Sequence, residues 1–321
     1  MRIFLPISNC LPVIVIALVS LLIKTGVLSA VVIGIKKTVG MAAGEISKKR
    51  MLRHPFFIAN PGKMRYNVSK TGGIPMLKKL YEKSEIWFAV AWIIAYVVLA
   101  STGDNISADL GIEKIVTLPI LIAMSAGLYF FVRKNGLTEK YGLCKPQLPG
   151  AKMLYYAPLL VLLTANLWYG VALNQSPVET VLYVLSMFCV GFLEEMIFRG
   201  LLFKAMAKDG VKMAIIVSSL TFGIGHIVNL FNGSGAELLP NLLQVVYAVA
   251  IGFAFVMIYC RTKSLMPCIL THSIFNGLSA FANQAAMTSQ REIVSGILLA
   301  VIAGGYALYL ALAVKEETAK E

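Results

Sequence analysis

The sequence predicts an all-α fold, a polytopic transmembrane helical bundle of about eight or nine helices. Three observations carry that expectation. The 321 residues are 58% hydrophobic and only 14% charged, whereas soluble domains carry about 25% charged residues. Apolar runs long enough to cross a bilayer recur along the chain. The basic residues collect in alternate connecting segments, as they do in cytoplasmic loops of membrane proteins. The net charge of +13 therefore reads as loop asymmetry facing anionic lipid and implies no nucleic acid partner. Five scattered cysteines (Cys10, Cys144, Cys189, Cys260 and Cys268) form no CxxC pair, so neither a disulfide framework nor a thiolate metal site is indicated.

Residues 4–35 form a long apolar stretch interrupted by Lys24 and followed by Lys36 and Lys37. This pattern suits an uncleaved membrane helix with the N-terminus outside; a cleaved signal is the alternative. Residues 36–85 are polar and basic, with twelve Lys or Arg against three Glu. Within them, the Met76–Tyr81 patch between lysines suits either an interfacial helix on anionic lipid or a solvated cytoplasmic loop. His54 lies in this loop, far from any apolar span, and is given no part in a site.

Eight further apolar spans follow, at 86–101, 115–132, 153–172, 179–203, 213–230, 240–260, 264–283 and 293–314. Several are bounded by Pro, Gly or Asn, as expected where helices stop at an interface. An outside N-terminus then makes 36–85, 133–152, 204–212, 261–263 and the C-terminal tail cytoplasmic. These segments hold 24 of the 29 Lys and Arg, the others being Arg2, Lys24, Lys114, Arg199 and Arg291. The chain reads as a multi-pass integral membrane protein, compatible with a bacterial cell membrane.

Three polar clusters interrupt the apolar helices. Glu194, Glu195 and Arg199 lie within one span, where each ionisable group needs a partner or a task. Glu195 and Arg199 are four residues apart and can pair across one helical turn. Glu194 is rotated by about 100° and left without a local counter-ion. Phe222 and His226 share the same spacing on a second helix, with Gly223 and Gly225 permitting close approach of a neighbour. His272 and Asn276 share one face of a third. From the cytoplasmic ends of their helices, Glu194, His226 and His272 lie about 14, 20 and 12 Å deep, compatible with one layer.

Hydrolysis of a peptide bond by water needs a base, donors for the developing oxyanion and an acid for the leaving amine. Glu194 suits the base, and His226 can hold or share deprotonation of the same water. His272 and Asn276 can donate to the oxyanion, while Arg199 orients the glutamate pair. No Ser or Cys has a better placement as nucleophile; Ser273 adjoins His272 but points about 100° away.

Together, Glu194-Glu195-x-x-x-Arg199, Phe222-x-x-x-His226 and His272-x-x-x-Asn276 resemble the three motifs of the CAAX protease and bacteriocin-processing family, the Rce1-like or Abi intramembrane proteases. They occur in the family's order on successive helices across about 179–283, and every motif position is filled. The resemblance implies a helical core in which a glutamate and a histidine activate water while a histidine and an asparagine form the oxyanion hole. By motif position these roles fall on Glu194, His226, His272 and Asn276, supported by Glu195, Arg199 and Phe222. The choice of Glu194 over Glu195 as base rests on helix phase and this resemblance alone.

The implied domain organisation is 1–150 for N-terminal helices with the basic loop, 151–314 for an intramembrane catalytic domain and 315–321 for a cytoplasmic tail. The substrate class is a membrane-bound peptide or protein, of CAAX, leader-peptide or pheromone type, met in a layer nearer the cytoplasmic side. The family is commonly labelled a metalloprotease, and His226, His272 and Glu194 can ligate zinc. The chain has no HExxH, however, and glutamate-activated water requires no metal. Two other classes are carried forward. A proton-coupled transporter would bring inverted repeats and broken helices that the sequence does not display. A non-catalytic immunity or scaffold protein of the same family would keep the motifs without turnover.

Overall fold

The computed structural model describes residues 75–230 and 237–314. The N-terminal apolar stretch, the basic loop up to residue 74 with His54, and the tail 315–321 lie outside them.

Helix α1 (Pro75–Lys83) occupies the expected Met76–Tyr81 patch, and its Tyr81 is buried against Phe88 and Phe131. Helix α2 (Glu85–Asp109) starts on Ser84, whose hydroxyl accepts from the Trp87 amide at 3.3 Å. That bond satisfies one of the first-turn N–H groups that no helix can satisfy internally. Helix α2 continues eight residues past the expected end of its span, through Thr102–Asp109. The extension is held by Ser107, which accepts from the Val116 amide at 3.0 Å, and by the Asp104–Lys114 pair at 2.8 Å. Helix α3 (Thr117–Lys134) returns alongside it.

The expected span 153–172 is broken. A 3₁₀ segment (Gly150–Tyr156) leads into a short α4 (Ala157–Leu163), with Leu154, Tyr155 and Tyr156 all at left-handed φ of 51°, 49° and 59°. Left-handed backbone costs non-glycine residues roughly 1–2 kcal/mol each, so tertiary packing dictates this break. Helix α5 (Pro177–Glu195) opens on a capping box between Ser176 and Glu179, with Pro177 in the first turn where its missing N–H costs nothing. It runs into a π-helical segment (Met196–Leu202) and then α6 (Phe203–Ala207).

Helix α7 (Val211–Gly225) ends in a 3₁₀ turn, His226–Leu230. Helix α8 (Leu238–Thr262) stops at Lys263, in the left-handed conformation at φ 56°. Helix α9 (Met266–Leu278) is only 13 residues long, against the membrane-length span expected at 264–283. Beyond it the chain tightens into a 3₁₀ turn at Ser279–Phe281 and then extends, pairing Ala282 with Val171. Helix α10 (Ser289–Leu312) starts on Thr288, and its C-terminal carbonyls at Leu310 and Ala311 accept from the Arg261 guanidinium, both at 3.0 Å.

Among the described residues, seven segments are long and apolar enough to cross a membrane: Glu85–Asp109, Thr117–Lys134, Gly150–Leu167, Pro177–Ala207, Val211–Leu230, Leu238–Thr262 and Ser289–Leu312. The described residues thus form the polytopic helical bundle that the sequence predicts, with no strand among them. The helices pack in two groups. Helix α5 lies against α3 and α9, and α3 against α2; helix α8 lies against α7 and α10. The π segment touches α2, α5 and α7, and α4 bridges α9 and α10, so these two irregular elements close the seam between the groups.

Segments expected on the same side of the membrane meet in space. At one end, Lys140 pairs with Glu85 at 2.7 Å, Lys208 pairs with the same carboxylate at 2.6 Å, and the Gln147 amide donates to Thr262 O at 2.8 Å. At the other, the Glu113 amide donates to Glu179 Oε1 at 3.2 Å, and Asn174 donates to Ala282 O at 2.8 Å.

Candidate active site

Two glycines set the distances between the helices that carry the three polar clusters. At Gly191, one turn before Glu194, a Cβ would stand 2.7 Å from Ser273 N and 2.9 Å from Ser273 Cα. Helices α5 and α9 therefore cross backbone to backbone beside the glutamates and His272. At Gly223 a Cβ would stand 2.8 Å from Val249 N, which seats α7 against α8 beside Phe222 and His226. Gly225 has open space around it, so only the first of the two expected close approaches on α7 occurs.

The seam brings all three clusters together. Glu195 and Arg199 are fully buried, and Arg199 Nη1 donates to Glu195 Oε1 at 3.0 Å, as the four-residue spacing predicts. The π segment that holds Arg199 places its guanidinium 3.9 Å above the Phe222 ring and 5.6 Å from the Phe255 ring. Aromatic faces are apt neighbours for a desolvated cation whose other nitrogens lack protein acceptors. Phe222 thereby links the first motif to the second: its ring also meets those of His226 and His272 edge-on, at 5.3 and 5.7 Å.

His272 stands between the two glutamates. Its Nδ1 is 2.8 Å from Glu195 Oε1, and its Nε2 is 3.6 Å from Glu194 Oε2. Glu195 accepts from Arg199 and, as an ionised carboxylate, can only accept from His272 as well, so the His272 proton sits on Nδ1. That bond fixes the plane of the imidazole and leaves Nε2 directed at Glu194. In His226, Nδ1 faces the Phe222 carbonyl at 3.1 Å; a carbonyl accepts, so Nδ1 carries the proton and Nε2 presents a lone pair. His226, His272 and Asn276 line one cavity together with Gln244, Tyr247, Phe255 and Phe275. Ser273 points the other way, its hydroxyl donating to Phe188 O at 3.3 Å.

Residues 176–278 match the family model described as type II CAAX prenyl endopeptidase Rce1-like. Over these residues the chain is similar to that family. Its matched limits begin at the capping serine of α5 and end with α9, so all three polar clusters lie inside the Rce1-like match. No curated protein and no solved structure matches the chain significantly. The match lies among the described residues, seven of whose helices are long and apolar enough to cross a membrane.

Several contacts around the three clusters escape sequence reading. Tyr96, on α2 and outside the matched residues, donates its hydroxyl to Glu194 Oε1 at 2.7 Å. Asn166 donates to Phe275 O at 2.7 Å, tying the chain after α4 to the residue before Asn276. Asn241 donates to His226 O at 2.9 Å and holds the 3₁₀ turn that starts at that histidine. Tyr96 and Asn166 are single polar residues in apolar or loop sequence, and Asn241, which also donates to Gln244 three residues on at 3.4 Å, carries no local mark of its bond to His226. A lone polar residue at membrane depth is the one signal they give.

A zinc centre does not fit this donor set. Among the described residues, no group of three or more His, Cys, Asp or Glu side chains is arranged to hold a metal ion. Both nitrogens of His272 face carboxylates, Nδ1 toward Glu195 at 2.8 Å and Nε2 toward Glu194 at 3.6 Å.

Proposed function

We propose that the protein is an intramembrane endopeptidase that hydrolyses a peptide bond of a membrane-associated peptide or protein, with Glu194 as the base that activates water. The observation that supports this reading is the division between the two glutamates. Glu195 is committed to Arg199 and His272 Nδ1, whereas Glu194 keeps Oε2 facing His272 Nε2 at the edge of the seam. Glu194 also retains 15% side-chain exposure where Glu195 has none, so only the former can meet a water and a substrate.

The reaction follows from these atoms. Glu194 takes one proton of a water whose other hydrogen is accepted by His226 Nε2. The hydroxide attacks the carbonyl carbon, and the oxyanion that forms is met by the Asn276 amide and by His272 Nε2 when the ring carries its second proton between the two carboxylates. Glu194 then passes the water's proton to the leaving nitrogen, and the peptide C–N bond breaks. Donors fixed in place before the charge develops need no reorganisation, which is the main source of rate in such sites. Burial away from bulk water strengthens each of these interactions.

The substrate is a peptide held at the membrane, of CAAX, leader or pheromone type, in a multi-pass protein of the bacterial cell membrane. The site lies nearer the cytoplasmic side, because Glu194 precedes the lysine-bearing end at Lys204 by ten residues, about 15 Å of helix. Comparative peptidomics of cells carrying wild type and Glu194→Gln tests the reading. Peptides cleaved in wild type should persist uncut in the variant, and purified Glu194→Ala and His226→Ala should insert and fold yet leave them intact. Full turnover by both variants would sink the mechanism. Solute uptake driven by a pH gradient would favour the transporter, and a cellular phenotype kept by Glu194→Gln would favour the scaffold.

A further inference from the structure

We infer that Tyr96 is a positioning residue for Glu194, a role that rests on reading Glu194 as the base. Tyr96 lies on α2, outside residues 176–278, and meets Glu194 across 98 residues of chain at 2.7 Å. An ionised carboxylate has no proton to give, so the phenol is the donor. A bond of that length between a hydroxyl and a carboxylate is charge-assisted and among the stronger kinds.

The geometry explains why Glu194 needs such a partner. The side chain is long and flexible, and Glu195, its neighbour in sequence, is turned toward Arg199 and His272. Tyr96 ties down Oε1, which fixes the carboxylate plane and leaves Oε2 facing His272 Nε2 at 3.6 Å. The two oxygens are thereby given different tasks, one anchored on α2 and one turned to the reaction. Packing alone does not call for a tyrosine here. The surrounding run, Ala91-Trp-Ile-Ile-Ala-Tyr-Val-Val-Leu-Ala100, is otherwise apolar, and phenylalanine would fill the same volume. A hydroxyl at this depth is unfavourable unless it is bonded, and its partner is the proposed base. The contact of α2 with the π segment after Glu195 keeps the two helices in register for this bond.

Tyr96→Phe removes the hydroxyl and keeps the ring. The probe is a peptide that the wild-type protein cleaves in the comparison with Glu194→Gln, assayed with full-length protein in liposomes. We expect kcat to fall about tenfold or more, the scale of a lost bond to a charged group, with KM and the thermal midpoint close to wild type. Independently of any substrate, the infrared band of the Glu194 carboxyl group, assigned by its loss in Glu194→Gln, should shift in Tyr96→Phe. If Tyr96→Phe unfolds, 3-fluorotyrosine at position 96 keeps the shape, alters donor strength and should shift the same band.

Unchanged kcat overturns the proposal whether or not the band moves. A rise in KM without loss of kcat assigns Tyr96 to substrate binding and overturns it as well. If wild type cleaves nothing, or Glu194→Gln keeps full turnover, the protease mechanism fails; Tyr96 is then judged by the band alone, and an unmoved band rejects the contact. An inactive Glu194→Gln beside a fully active Tyr96→Phe rejects only the role of Tyr96.

Discussion

Glu195 Oε1 lies 2.8 Å from His272 Nδ1, joining two motifs that are 77 residues apart in the chain. The same oxygen accepts from Arg199 at 3.0 Å, so one buried atom holds both a guanidinium and an imidazole. Removing it strands a fully buried cation. Glu195→Ala should therefore destabilise the protein by about 3–5 kcal/mol and abolish turnover. His272→Ala should abolish turnover with a much smaller loss in thermal midpoint, because the Glu195–Arg199 pair survives. In a double-mutant cycle, the stability effects of Glu195→Ala and His272→Ala should be strongly non-additive. Additive effects would mean that the bond does not couple the two residues.

The backbone crossing at Gly191 gives a second prediction. A methyl group there would meet Ser273 N and Cα at 2.7 and 2.9 Å, contacts that only a shift of α5 against α9 can relieve. Gly191→Ala should cost about 1–3 kcal/mol and lower kcat, since the same shift moves Glu194 and Glu195 relative to His272. Gly225→Ala, which meets open space, should leave thermal stability unchanged or slightly higher. Equal thermal midpoints for the two variants would show that the crossing is not tight.

Much of this arrangement was legible in the sequence, and the parts that were not share a cause. Apolar runs placed the helices, and four-residue spacing within one helix found Glu195–Arg199, because both signals are local. The length of α9 was not legible, since hydropathy continues through Ser279–Phe281 while the backbone does not. The π segment and the left-handed turn at Leu154–Tyr156 were missed for the same reason: packing against other helices selects them over the α-helix that local preference favours. Gly191 passed unremarked although Gly223 was expected, because nothing in sequence marks which glycine another backbone will approach. Tyr96 was invisible because its partner is 98 residues away.

The side of the membrane can be read from Cys144. It lies in the connection 135–149, at the end where Lys140 meets Glu85 and Lys208, and its thiol approaches Lys263 O at 3.5 Å. Burial raises the Cys144 pKa above the ordinary thiol value, with Glu139 adding to the rise and Lys204 opposing it. A raised pKa means a smaller thiolate fraction at neutral pH, and the thiolate is the reactive form. In a variant keeping Cys144 alone, a membrane-impermeant maleimide should label inside-out vesicles and spare right-side-out ones. The rate at pH 7 should fall below that of a free cysteine and keep climbing with pH beyond the point where the free thiol levels off. Labelling of right-side-out vesicles would invert the assigned topology.

Metal dependence separates this site from a zinc endopeptidase. In the usual catalytic zinc centre, three side chains converge on the ion while a fourth position holds water. Here His272 lies between Glu195 at 2.8 Å and Glu194 at 3.6 Å, and no such convergence of three donors is found among the described residues. Protein purified, treated with a strong chelator and dialysed should keep its full rate on a wild-type substrate, and elemental analysis should find well under one zinc per chain. Loss of activity on chelation, restored in proportion to added zinc, would show that the donors rearrange to bind it.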